Sequence, residues 1–346
     1  MEDFFSKTAK RKPKFDNILK VLNKEAPDRF TLFEFFMNDV IYAKMSGLDK
    51  MPTTGPKDYY AARAKGFRNA GYDYVTIDAS AFHFNSGTST HGKSSRSSSD
   101  GALVTDRESF DKYVWNNPDD YDTGRLEDVK DSLEDGMMAI IHSPNGVLEN
   151  VMDLAGYEGL CYMMADDPDL VEALFENVGK RLLRYYELGL RHSSVGACIV
   201  NDDWGFNTQT MLSVKDMKKY VYPWHKAIVE TIHKNGRPAI MHSCGKLHEV
   251  YEDLYTEIGF DGKHSYEDVI QPVEEAYDML KGKLAVMGGI DLDYICRKTP
   301  EEVYNRSRNM LVKAQNTGGY ALGSGNSIPE YVPMENYMAM ISAVLD

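Results

Sequence analysis

His242 and Cys244 stand two residues apart at the end of the apolar run Arg237-Pro238-Ala239-Ile240-Met241, a spacing that can hold one metal ion between two side chains. In a β-strand residues i and i+2 project from the same face, so an imidazole and a thiol placed this way can turn to one point. Both are donors that zinc takes at short range, and a site with few protein ligands keeps a position open for chemistry. Ordinary packing accounts for the pair equally well, with Cys244 as a small buried hydrophobe and His242 bonded to a backbone carbonyl.

Such a pair needs a strand to present it, and β-rich runs recur along the chain with helical segments between them, the pattern of alternating β and α units. Eight strands are expected, over 30–36, 74–79, 137–143, 197–202, 238–243, 260–265, 284–289 and 320–323. Several are continuously apolar, such as Ala197-Cys198-Ile199-Val200, as strands covered on both faces should be. Amphipathic stretches at 169–190 and 215–234 carry helical spacing. Asp166-Asp167-Pro168 and Pro300-Glu301-Glu302 place proline and acids in first turns, and Asn235-Gly236 closes the helix before the His242 run. Eight such units in 346 residues give an α/β fold, a single (β/α)8 barrel domain over 1–346 with a short N-terminal helical lead-in.

In such barrels chemistry sits at the C-terminal ends of strands. The expected strands end in donors: Glu34, Asp78, His83, His142, Asp202 and Asp203, His242 and Cys244, His264, Asp291 and Asn326. Each also has a bland explanation, since Asp78 or Asp291 can cap the next helix and His83 or His142 can be a satisfied interior histidine. Together they predict an acidic, metal-competent mouth. Phe33, Phe35, Phe36, Tyr59, Phe82, Phe84, Trp204 and Tyr266 near that mouth could stack on an aryl ring or could simply pack the core.

A formal charge of −14 argues against nucleic-acid binding, which needs a basic footprint on phosphates. The four cysteines form no CxxC pair, so neither a disulfide framework nor a four-thiolate knuckle is indicated, and a reducing cytoplasm fits. No signal-like or membrane-spanning apolar run is seen, which predicts a soluble, unexported chain. The segment 86–100, rich in Ser, Gly and Thr, is expected to be a loop, either a surface excursion or a lid over a pocket. Oligomeric state is open, with a homodimer among the expectations.

The chain resembles the uroporphyrinogen decarboxylase superfamily, and within it the cobalamin-linked (corrinoid-dependent) methyltransferases. The likeness is carried by Leu22-Asn23-Lys24-Glu25-Ala26-Pro27-Asp28-Arg29, by Gly156-Tyr157-Glu158-Gly159 with Asp166-Asp167-Pro168, by Asp202-Asp203-Trp204-Gly205 and by Met241-His242-Ser243-Cys244-Gly245. It continues through Gly288-Gly289-Ile290-Asp291 and Gly323-Ser324-Gly325-Asn326-Ser327-Ile328-Pro329, with Pro333-Met334-Glu335-Asn336 closing it. The resemblance implies a (β/α)8 barrel. Its decarboxylases grip acidic side chains with two arginines after the first strand, whereas this chain reads Phe33-Glu34-Phe35-Phe36-Met37-Asn38-Asp39, where Glu34 and Asp39 would repel a polycarboxylate. Asn326 aligns with the decarboxylase histidine and Asp203 with its serine, while Asp78 keeps the decarboxylase type. The thiol-methylating branch binds zinc with an HxC pair and a later cysteine; His242 and Cys244 match the pair, and Asn326 stands where the later cysteine would be. An amide in place of a thiolate leaves a harder, more electrophilic metal.

The resemblance therefore implies an enzyme of anaerobic one-carbon metabolism. It would move a methyl group from a small methylated substrate, a methoxylated aromatic (by O-demethylation), a methylamine or a betaine, to the corrinoid of a partner protein. The alternatives are a decarboxylase or lyase of a small carboxylic acid on the same fold, and a methylcobalamin:thiol methyltransferase. For the lyase, Arg63, Arg96 and Lys246 are the candidate cations. His242 and Cys244 are expected to bind zinc, with Asp202, Asp203 or Glu34 completing the site, and a metal-free variant remains open. Asp78 or Glu158 is the expected general acid. Glu34, His264, Asn326, Phe36, His83, His142, Trp204 and Asp291 are expected to line the substrate.

Overall fold

Seven of the eight expected strands form one parallel sheet in strict chain order: β1 Tyr74–Asp78, β2 Met138–His142, β3 Val195–Asn201, β4 Ala239–His242, β5 Gly262–His264, β6 Ala285–Met287 and β7 Tyr320–Ala321. The computed structural model describes residues 2–85 and 101–345, so the expected loop at 86–100, with Arg96 in it, lies outside the described residues. Helices cover the connections, and β3 is buried along its whole length, as its unbroken apolar run requires.

The expected first strand, 30–36, is placed beside β7 but builds no ladder. Leu32 and Leu322 form an isolated parallel bridge, with Phe33 N donating to Leu322 O at 2.7 Å and Leu322 N to Thr31 O at 2.8 Å. On the β1 side the main-chain groups are taken by side chains instead. The Tyr74 hydroxyl accepts from Glu34 N at 2.6 Å and donates to Glu34 O at 2.8 Å, and the Thr76 hydroxyl donates to Phe35 O. A backbone N–H or carbonyl already bonded to a hydroxyl cannot serve a sheet ladder, which is why periodicity alone overstated this strand.

Helix placement follows local rules. Pro168–Gly189, expected over 169–190, starts with Asp167 accepting from Leu170 N, and Pro300–Ala314 starts with a Thr299–Glu302 capping box. The former helix fastens the tips of β2 and β3: Tyr185 donates to His142 O at 2.7 Å and Tyr186 to Ile199 O at 2.7 Å. The stretch expected to be helical over 215–234 is interrupted by a π turn, Met217–Val221, directly before the helix Tyr222–Lys234. Pro223 in that helix has no N–H and a ring that crowds the carbonyl four residues back, and a wider turn just before it relieves both. Helices Glu2–Lys10 and Asp16–Leu22 precede the sheet. No helix among the described residues is long and apolar enough to cross a membrane.

Sheet register sets the site. Asp78 pairs with His142 across β1 and β2, while Asn201 pairs with His242 and His242 with His264 across β3, β4 and β5. Register partners in a parallel sheet share a face, and side chains alternate faces along a strand. His242 and His264 therefore meet on one face, and Cys244 and Asp203, each two residues beyond a paired residue, continue the same rows. The Phe35 ring lies on that face, 5.1 Å from the His142 ring and 4.7 Å from the His242 ring.

Candidate functional site

Asp203, His242 and Cys244 each bring one donor atom to a common spot, all within 4.8 Å of one another. Asp203 is fixed by accepting the Cys244 N–H at 2.8 Å. The loops carrying them touch at Gly205 and Gly245, where a Cβ on Gly245, itself at φ +88°, would fall 2.1 Å from the Gly205 carbonyl oxygen. Asn326 reaches the same sulfur, its Nδ2 donating to Cys244 Sγ at 3.3 Å, and the Ser265 hydroxyl lies 3.6 Å from that sulfur. Burial, seconded by the Asp203 charge, pushes the Cys244 thiol up to about 12, and burial also raises Asp203. Imidazole, thiolate and carboxylate are a donor set that zinc accepts, and three protein ligands leave the fourth position open. The residues fit the metal.

The imidazoles form a chain. His264 Nε2 lies 3.2 Å from Ser324 O, and His264 Nδ1 lies 2.8 Å from His242 Nδ1. Burial holds His264 down at about 3, and His242 well below its ordinary value, with His264 as the next cause. Both shifts favour the neutral imidazole.

A second group sits on the same face at β1 and β2. Asp78 lies 3.4 Å from Arg125 Nη1 and 3.4 Å from His142 Nε2, and Arg125 also donates to the Tyr60 hydroxyl at 3.0 Å. Arg63, buried on the helix Pro56–Ala70, donates to the Thr76 hydroxyl at 2.9 Å. Burial lowers His142, and Asp78 partly opposes the shift. Phe36 is largely exposed, its ring 4.9 Å from that of Phe35.

Glu34 is fully buried and is not among the three residues whose donor atoms converge. Ser324 Oγ is 2.7 Å from both Glu34 Oε1 and the Asn326 carbonyl oxygen. The hydroxyl can donate to either oxygen, and Ser324 N donates to Glu34 Oε2 at 3.2 Å. Burial pushes Glu34 up to about 8 against these hydrogen bonds, which favours its protonated form.

Five expected site residues are placed elsewhere. Asp202, one residue out of phase with Asp203, points behind the sheet and is wholly buried. It accepts from Leu148 N, Glu149 N, Trp204 Nε1 and His225 Nε2 at 2.8–3.0 Å, and so caps the helix Val147–Ala155 from outside. Gly146 makes room for it, since a Cβ there would lie 2.1 Å from Asp202 Cβ. Trp204 goes with Asp202, stacked on Tyr222 at 5.5 Å, and offers no stacking face to a substrate. Asp291 caps the helix Leu292–Arg297 through Tyr294 N and also accepts from Asp268 N. Glu158 is exposed on the helix Tyr157–Asp166, accepting from Tyr162. His83 is exposed as well, its Nδ1 3.1 Å from Ala81 O.

Two buried ionisable neighbours of these groups escaped the sequence reading. Lys263 is buried on β5, donating to Ser243 O at 3.3 Å and Ser265 O at 2.6 Å over the Tyr266 ring, and burial pulls it down to about 8. Its charge acts on Cys244 and Asp203. Glu149 is raised to about 8 by burial and by Asp202 and Asp203. A lysine inside a short, otherwise covered strand was the available signal for the first; Glu149, in an ordinary helical first turn, gave none.

Residues 125–346, well over half of the chain, match the family described as uroporphyrinogen decarboxylase (URO-D). A methylated-thiol–coenzyme M methyltransferase of Methanosarcina mazei is 24% identical over 244 residues, which span 66% of this chain and 63% of that protein. A uroporphyrinogen decarboxylase of Anaeromyxobacter dehalogenans is 27% identical over 190 residues, 55% of this chain and 51% of the relative. The matched stretch thus spans roughly half to five-eighths of these curated relatives. Among solved structures, a methyltransferase from Methanosarcina mazei superposes with a TM-score of 0.69 at 12% identity, covering 94% of this chain and 96% of that one, which shows a shared fold.

Proposed function

The chain belongs to the uroporphyrinogen decarboxylase (URO-D) family, and from that premise we propose that it is a methyltransferase moving a methyl group from a small methylated compound to the corrinoid of a partner protein. The convergence of Asp203, His242 and Cys244 within 4.8 Å carries the reading, because porphyrinogen decarboxylation has no use for an imidazole–thiol–carboxylate donor set. In this reading residues 1–346 act as one barrel domain, the segment around Leu32 standing as its eighth wall member between β7 and β1. The methyltransferase relative supports methyl transfer over the lyase alternative.

Asp203, His242 and Cys244 would hold zinc, and Asn326, where a third cysteine would complete a thiol-activating site, instead donates to the Cys244 sulfur. Bound there, zinc supplies Lewis acidity to an ether oxygen or amine nitrogen as its bond to the methyl carbon breaks. The departing atom also needs a proton. His142 Nδ1 faces the Ser143 carbonyl oxygen at 3.4 Å and is the donor there, so His142 Nε2 and Asp78 attract across 3.4 Å when one of them carries a further proton. Asp78 and His142 are the proposed proton source, with Phe35 as the wall between them and the metal ligands. The methyl carbon passes to the corrinoid as the leaving group takes that proton.

The test is incubation of the protein with methoxylated aromatics, methylamines or betaines and a reduced corrinoid protein, read by the corrinoid absorption spectrum. Methylation with one substrate class, lost in His242→Ala together with about one bound zinc, is expected. Release of carbon dioxide from a carboxylate, with no methylation from any class, would overturn the proposal.

A further inference from the structure

We infer that His264 is a positioning residue that sets which nitrogen of His242 is free to coordinate. The direction of the imidazole chain is fixed at its far end. A backbone carbonyl has no proton to give, so across the 3.2 Å contact with Ser324 O the proton is on His264 Nε2. His264 Nδ1 is then the lone-pair nitrogen, and across 2.8 Å it accepts from His242 Nδ1–H. His242 Nε2 is left with its lone pair unprotonated, the tautomer a metal ligand needs.

The packing holds this arrangement. His264 is wholly buried, its ring 5.2 Å from that of Phe33. Gly288 forms the other wall: a Cβ at that residue would stand 2.3 Å from the Ser324 oxygen and 3.0 Å from His264 Nε2, in the path of the bond. His242 and His264 are register partners on β4 and β5, so the two rings meet without either strand departing from regular geometry. The second ring nitrogen of a metal-bound histidine commonly donates to a carboxylate, carbonyl or water; here a second imidazole does that work, oriented in turn by the main chain.

The functional consequence rests on His242 being a metal ligand, as proposed above, but the proton placement does not. The experiment therefore has two readouts on the full-length protein. Nitrogen NMR of histidine-labelled, metal-free protein reports which His242 nitrogen is protonated, and titration with zinc or cobalt(II) against a competing chelator reports affinity. In the wild type a single His242 tautomer with Nε2 unprotonated is expected. His264→Leu should lose that single state and bind zinc about 10- to 100-fold more weakly. His264→Asn, whose side-chain oxygen can accept where Nδ1 does, should restore most of both, which a mere loss of packing would not allow. Protonation of His242 Nε2 in the wild type, or an unchanged tautomer and affinity in His264→Leu, would overturn the inference. If His264→Leu does not fold, the wild-type tautomer and the His264→Asn affinity still decide it. Failure of the wild type to bind zinc or cobalt(II) would sink the metal reading, while the tautomer measurement would still settle the role of His264.

Discussion

Asp202 lies behind the sheet with four N–H donors around its carboxylate, whereas Asp203, the next residue, lies on the other face among an imidazole, a thiol and an amide. The chemistry of the two side chains is identical; a single step of strand alternation separates a structural knot from a candidate metal ligand. Behind the sheet the four N–H groups are committed to one carboxylate, and both Asp202 and His225 are wholly buried. On the front face, donors converge without satisfying one another fully, the condition a ligand requires.

Breaking the knot should have the largest effect. Asp202→Ala leaves a buried histidine, an indole N–H and two helix-start N–H groups without their acceptor, and about 3–5 kcal/mol of stability should be lost in urea denaturation. A loss below about 1 kcal/mol would show that water replaces the carboxylate and that the two faces are less distinct than described. The front face should answer in binding instead. Cys244→Ser should weaken zinc binding by about 100-fold, roughly 2.8 kcal/mol, while the denaturation midpoint barely moves. Equal losses in both measurements would dissolve the contrast.

Glu34 sharpens it, since it is a buried carboxyl without the knot's four N–H donors. Its folded value of about 8 exceeds the ordinary 4.5, so the folded protein keeps a proton that the unfolded chain has already released. Stability from this group is complete below pH 4.5 and declines as pH rises toward 8, by about 1.4 kcal/mol per pH unit. Glu34→Gln removes that slope, and denaturation midpoints measured from pH 6.5 to 8 should fall less steeply, with Glu149 supplying a residual trend of the same sign; below pH 6.5 the buried His142, His242 and His264, held under their ordinary values, contribute a slope of opposite sign in both proteins. Parallel curves for the two proteins would show that Glu34 is ionised in the fold. The smallest effect is expected for Glu158→Ala on the exposed helix face, within about 0.5 kcal/mol in stability and with zinc affinity unchanged; a marked fall in affinity would place Glu158 in the site after all.

Much of this was legible in the sequence because it depends on period. The i, i+2 spacing of His242 and Cys244 needs only a strand, and the continuous apolar runs located seven strands to within a few residues. What escaped depended on tertiary partners. Strand-end acids were gathered without regard to parity, so Asp202 and Asp203 looked interchangeable until the sheet showed which face each took. The run at 30–36 has strand-like composition, but hydroxyls from Tyr74 and Thr76 claim its backbone. Lys263 reads as a solvent-facing residue until two carbonyls and two tyrosine rings are found around it.

The π turn at Met217–Val221 holds one residue more than an α turn would, and His225 lies one helical turn beyond it. Each residue of helix corresponds to about 100° of rotation. A π turn sweeps with five residues about the rotation an α turn sweeps with four, so deleting a single amino acid between 217 and 221 would restore regular winding and leave the histidine facing Asp202, whereas a deletion between 222 and 224 would swing it about 100° away. The spare residue thus makes length forgiving in the turn and strict just after it, and a library of single-codon deletions should find that boundary.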